Sequence, residues 1–323
     1  MLRLIHVNLI NINSNMYMKK YIVCASLCLV CLGFGSCSED KLEAESVIVD
    51  SNVKQTDFDK WIKANFTDPY NIVFKYRYEH NETDMNYYNV PADYEQAVKL
   101  AHIVKYASIE AYDQVAGVDF TRTFFPKLFY ATGEFEYRND GTMILGTAEG
   151  GKKIFLAGTN HLNKLSTTVE SLNTYYLRTI HHEFTHILNQ TKNYTAEYQK
   201  VNGNLYIGDA WSSEKGATGY LQRGFITAYS QMEAREDFAE MLSMYVTNTP
   251  EQWAKWMAEA AKDPKTGKKT PGAEHIAKKL EMVRVYMRDE FNIDIDALRD
   301  EILRREGDVI NGYVNLTDLK IDK

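Results

Sequence analysis

Residues 181–190 read HHEFTHILNQ, and the spacing inside that stretch decides how the rest of the chain is read. His182 and His186 are four residues apart, so on a helix they project from one face with Cβ atoms about 5–6 Å apart, close enough for two imidazoles to share one ion. Glu183 is turned roughly 100° from its neighbour, too far round to be a ligand beside it but able to reach a water at an open coordination position. A cation held there lowers the pKa of such a water toward about 7, and a glutamate can take the proton as the water attacks a carbonyl. A histidine-rich helix satisfied in a protein core is the competing reading.

A site of this kind needs a third protein ligand and one open position. A glycine at 189 and a histidine at 192 would supply it from the same segment, but the chain has Asn189 and Lys192. A glutamate on a later helix is then required. The segment from Ser230 to Glu240 offers Glu233 followed by Asp237, and Glu236 followed by Glu240. Ser230 with Glu233 three residues on reads as a capping box, which would occupy Glu233 at the helix start. Glu236 is therefore expected as the ligand, on a face where Ala239 and Ser243 admit a second helix, with Glu240 hydrogen-bonding a ligand histidine from behind. Tyr229, just before this helix, is placed to donate to an oxyanion over the metal. With 22 tyrosines in the chain, ordinary packing competes with that role. Two imidazoles and one carboxylate suit zinc.

Outward from the motif, an apolar stripe through Val169, Leu172, Tyr176, Ile180, Ile187 and Leu188 predicts a helix from a cap at Ser166 to about Gln190. Further helices are expected over about 231–246, 251–262, 273–290 and 295–305. On the N-terminal side, alternation from Ile72 to Glu79 predicts a half-buried strand, and a stripe from Ala97 to Val115 a long helix ending near Gly117. Residues 127–158 read as a β-meander punctuated by Asn139-Asp140-Gly141 and Gly150-Gly151. Gly151–Thr159 is the expected edge strand, where an extended substrate would add main-chain hydrogen bonds. The fold class expected is α+β: an N-terminal helix and antiparallel-sheet part packed on a mainly helical C-terminal part, with the motif helix at their junction.

The first residues are of another kind. Met18-Lys19-Lys20, an apolar run from Tyr21 to Phe34 and Gly35-Ser36-Cys37 have the layout of a secretory signal peptide, with Met18 as its natural start. All four cysteines lie at 24, 28, 31 and 37, so cleavage would leave Cys37 alone. Small residues just before such a cysteine resemble a bacterial lipobox, and Cys37 is expected to carry lipid. Polar, acidic residues 38–56 suit a tether, and 57–323 would form the folded domain. Loss of Arg3, Lys19 and Lys20 leaves 34 of the 37 basic residues against 44 acidic ones, a formal charge of −10. That balance argues against nucleic acid as a partner and leaves lipid, not a basic patch, to hold the protein on a membrane.

Taken together, the lipobox, GTMILGTAEGGKKIFL (141–156), HHEFTHILNQ and AYSQMEAREDFAEMLSMYV (228–246) resemble the substrate import-associated zinc metallohydrolase lipoproteins over nearly the whole mature chain. The pair HEFTH and EDFAE is also similar to the catalytic domain of anthrax lethal factor, in which the first glutamate of such a segment binds zinc and a tyrosine seven residues earlier assists, matching Glu236 and Tyr229. The resemblance implies a zincin-like fold, one zinc ion, an outer-membrane location, a peptide or glycopeptide substrate, and a TonB-dependent importer with its surface lipoprotein as partners. Two other functions fit the same residues: a zinc amidase or deacetylase acting on glycan, and a binding lipoprotein whose zinc is structural. Glu183 argues against the last, since a structural site has no use for a base beside its ligands.

Overall fold

A computed structural model describes residues 54–83, 86–137, 143–144, 146–149 and 153–321. The signal segment, Cys37, most of the tether and the turns at 139–141 and 150–151 lie outside the described residues. From Gln55 onward the chain forms one compact unit. Its first helix, α1 (Asp57–Ile62), starts with a reciprocal cap in which Thr56 and Asp59 bond each other's backbone N–H, and continues through a π turn (Lys63–Thr67). Strand β1 (Val73–Lys75) follows. Asp93 then caps α2 (Tyr94–Ile103), which runs through another π turn (Val104–Ile109) into α3 (Glu110–Ala116), with α4 (Val118–Phe124) beyond Gly117.

The strands β2 (Leu128–Ala131), β3 (Glu136–Tyr137), β4 (Met143–Ile144), β5 (Gly146–Glu149) and β6 (Lys153–Leu156) form two sheets. The larger has the order β1-β2-β6-β5. Here the expected antiparallel meander is corrected: β1, β2 and β6 run parallel, and only β5 pairs antiparallel, with β6. Alternation of apolar residues reports which face is buried, not strand direction, and the helices between β1 and β2 supply the crossover that parallel pairing needs. β3 and β4 form a separate antiparallel pair. Phe74, Phe129 and Ile154 stand in one row across β1, β2 and β6 and enter the main core, while Tyr130 and Phe155 bury on the opposite face with Phe135 and Ala157.

Two further expectations change. The first strand covers Val73–Lys75, not Ile72–Glu79; its one neighbour β2 is short, and Tyr78 is exposed. The segment Gly151–Thr159 is not the edge: β6 lies between β2 and β5, and β5 is the outer strand, the one that packs along the motif helix.

After the sheet, Thr168 and not Ser166 caps α5 (Val169–Leu172), which passes through a third π turn (Asn173–Leu177) into the motif helix α6 (Arg178–Thr191). Tyr176 in that turn donates to the Gly158 carbonyl at 2.8 Å, tying the helix to the exit of β6. Gly158 has φ +74°, and a Cβ there would fall 2.2 Å from the Phe135 ring, so both conformation and space require glycine. The chain ends in α7 (Glu197–Asn202), α8 (Ala234–Val246), α9 (Pro250–Ala260), α10 (Gly272–Phe291) and α11 (Ile295–Ile310). Among the described residues no helix is long and apolar enough to cross a membrane.

Candidate metal centre

The apolar side of α6 anchors it. Phe184 is fully buried, with ring centroids 4.6 Å from Phe125, 5.1 Å from Tyr112 and 6.0 Å from Phe120, and Ile180 and Leu188 flank it one turn away. Burial of each such side chain contributes roughly 1.5–3 kcal/mol. With that face committed to the core, His182 and His186 point to the side where α8 packs. α8 is fixed in turn by Phe238, stacked on Tyr194 at 4.5 Å and set edge-on to Tyr286 at 5.2 Å.

The result is a triangle of donor atoms. His182 Nε2 and His186 Nε2 are 3.1 Å apart, and Glu236 Oε2 lies 3.1 Å from the first and 3.2 Å from the second. All three side chains are nearly buried, and they form a cluster able to hold a metal ion. A tetrahedral zinc with bonds of about 2.0–2.1 Å would space its donors about 3.3 Å apart, so the triangle has the size the ion requires. The chemistry of the set also fits. Protons cannot satisfy all three mutual contacts at once, whereas two imidazole lone pairs and a carboxylate oxygen directed at one cation would.

Behind the triangle, Glu240 sits one turn along α8 with Oε1 2.8 Å from His182 Nδ1. A proton on Nδ1 leaves the Nε2 lone pair facing the triangle. Without an ion, burial opposes charge on His182, but Glu236 and Glu240 outweigh it and push its pKa up to about 10. Burial likewise opposes the charge on both carboxylates. His182 and His186 nevertheless hold Glu236 well below the usual range, and His182 with the Arg178 charge brings Glu240 down to about 2. Arg178 was not singled out from the sequence, although it lies one turn before His182 on the same helix.

Glu183 is partly exposed beside the triangle, and its charge bears on both His182 and Tyr229. The Tyr229 ring is 5.9 Å from that of His182. Burial and then the nearby Glu236 carboxylate raise its pKa, so the hydroxyl keeps its proton at neutral pH. Trp211, also missed in the sequence, packs edge-on against Tyr229 at 5.0 Å. His181 belongs to the core: it meets the Tyr112 hydroxyl through Nδ1 at 3.2 Å, and burial lowers its pKa to about 3.

Glu233 is not held in the capping box expected with Ser230. Residues Tyr229–Gln231 form a short 3-10 turn, so α8 begins only at Ala234; Glu233 is itself the residue before the helix, in an extended conformation. Ser230 Oγ pairs with Thr227 Oγ1 at 3.1 Å, and the Glu233 carboxylate accepts from Arg235 at 2.8 Å. Glu233 is thus drawn to the surface by Arg235 instead of being held in a cap.

Comparison with known proteins gives a consistent picture. A family model described as "Putative zinc-binding metallo-peptidase" matches residues 51–296. A crystal structure of a putative zinc-binding metallo-peptidase from Bacteroides caccae ATCC 43185 is similar at 37% sequence identity and a TM-score of 0.68, covering 85% of this chain and 100% of that one. No curated protein matches.

Proposed function

We propose a peptide-hydrolysing function for this chain, which belongs to the zinc-binding metallo-peptidase family whose model it matches. The observation that carries the reading is the donor triangle of His182, His186 and Glu236, with Glu183 on the same helix as the two histidines. These three side chains would hold the zinc. Bound there, zinc supplies a Lewis acid and brings the pKa of a water toward about 7. Glu183 takes the proton of the attacking water and hands it to the departing amine. Tyr229, kept protonated by its buried surroundings, donates its hydroxyl to the carbonyl oxygen as negative charge develops on it. Glu240 fixes the His182 tautomer. An extended peptide lies along β5, whose outer edge supplies main-chain hydrogen bonds.

The substrate is a peptide or glycopeptide. The protein acts as a lipoprotein of the outer membrane, held by acylated Cys37 and working beside a TonB-dependent importer and its surface lipoprotein. The lipobox and the family resemblance support this part, and mass spectrometry of the mature N-terminus tests it: an acylated cysteine is expected, and an unmodified residue there would refute it.

For the hydrolase reading, purified zinc-loaded protein is offered a proteome-derived peptide library beside its Glu183→Gln variant. The expected outcome is cleavage by the wild type and none by the variant, which still binds one zinc. A wild type that cleaves nothing, or a variant that cleaves equally well, overturns it.

A further inference from the structure

The residue after Glu236 is fully buried, and three separate parts of the chain converge on it. Lys279 of α10, itself fully buried, places Nζ 2.6 Å from Asp237 Oδ2. Tyr206 donates its hydroxyl to the same oxygen at 2.9 Å, and Tyr198 of α7 donates to the Asp237 carbonyl at 3.1 Å. The Lys279 ammonium also lies 4.7 Å over the Phe225 ring and 5.7 Å over that of Tyr198.

A fully buried ion pair is a costly way to join two helices. Both charges lose their water, and replacing such a pair with apolar groups of like volume is often neutral or stabilising. Stability therefore gives no reason for this arrangement. Direction does: an apolar contact tolerates a small rotation of a helix about its axis, whereas an oxygen accepting from two fixed donors does not. Glu236 and Asp237 are neighbours on the first turn of α8, about 100° apart around its axis. Locking the azimuth of one locks the other. The same point is tied to the turn that carries Tyr229, because the amides after Tyr206 bond forward: Ile207 N to Gln231 O at 2.8 Å and Gly208 N to Met232 O at 3.1 Å.

We propose that Asp237, Lys279 and Tyr206 form a positioning clamp that holds the Glu236 carboxylate in register with His182 and His186, and so sets the affinity for zinc. None of the three belongs to the donor triangle; they act through the backbone of α8. The inference rests on the reading of that triangle as the zinc site.

The test measures the zinc Kd by competition with a chromophoric chelator, together with the Tm of the metal-stripped protein. Asp237→Leu combined with Lys279→Met removes both charges at similar volume. The expected result is a Tm at or above that of the wild type with zinc binding weakened about 10–100-fold. Tyr206→Phe removes one hydrogen bond and leaves the Asp237–Lys279 pair in place; about 3–10-fold weaker zinc binding is expected, with a Tm lowered by the loss of that bond. A wild-type zinc Kd in either folded variant overturns the clamp, including the case in which only the Tm has moved. Should the double variant not fold, Tyr206→Phe decides alone. Failure of the underlying reading looks different: the wild type, or His182→Ala beside it, would then show no zinc binding that depends on the triangle.

Discussion

Replacing Glu240 separates the part of the site that holds the ion from the part that orients its holder. Glu240 Oε1 is 2.8 Å from His182 Nδ1, both side chains are nearly buried, and Glu240 is not one of the three donors. A hydrogen bond to a charged group contributes about 1.5–3 kcal/mol in such surroundings, and neutral partners give about half of that. Loss of a group that orients a ligand histidine weakens metal binding by about 10–100-fold, or about 1.4–2.8 kcal/mol at 1.4 kcal/mol per tenfold change. Glu240→Ala removes charge and acceptor together and should fall in that range. Glu240→Gln keeps an acceptor for Nδ1–H and should weaken zinc binding by only about fivefold, near 1 kcal/mol. Chelator competition at fixed pH and ionic strength reads both. A Glu240→Ala variant that binds zinc as the wild type does would show that the Nδ1 contact does nothing for the site.

Tyr229→Phe should lower kcat about 10²–10³-fold, the usual effect of deleting one oxyanion donor, with a far smaller change in zinc affinity; a drop in zinc binding with kcat intact would reverse its assigned role. Glu306 of α11 is almost fully buried, with Asn173 Nδ2 2.8 Å from Oε2, and burial raises its pKa well above the ordinary 4.5 against the pull of that hydrogen bond. Above pH 4.5 the unfolded chain releases a proton that the folded chain keeps, so this group makes stability fall as pH rises. Glu306→Gln removes that dependence, and its Tm advantage over the wild type should widen from pH 5 to pH 8; an equal difference at both would refute a protonated Glu306.

How much of this the sequence carried varies from element to element. The pair His182 and His186 was legible because an i, i+4 spacing has one geometric meaning on a helix, and the apolar stripe around it established the helix. Bringing Glu236 to that pair depended on an argument from local capping that fails: a 3-10 turn at Tyr229–Gln231 delays the helix, and Glu233 turns to Arg235. Strand direction could not be read, since a period of two is the same in parallel and antiparallel sheets. The segment that directly precedes the motif helix in the sequence reads as the edge beside it, whereas parallel pairing of β6 with β2 leaves that place to β5. Lys279 and Asp237 are 42 positions apart, and each alone looks like an ordinary surface charge; only the packing of α8 on α10 shows that they are buried together.

The most direct test of the metal centre is X-ray diffraction from crystals of the zinc-loaded protein, with data collected on both sides of the zinc absorption edge. One anomalous peak within about 2.0–2.2 Å of His182 Nε2, His186 Nε2 and a Glu236 carboxylate oxygen is predicted. A peak elsewhere, or a Glu236 side chain turned away from the two imidazoles when zinc is bound, would contradict it.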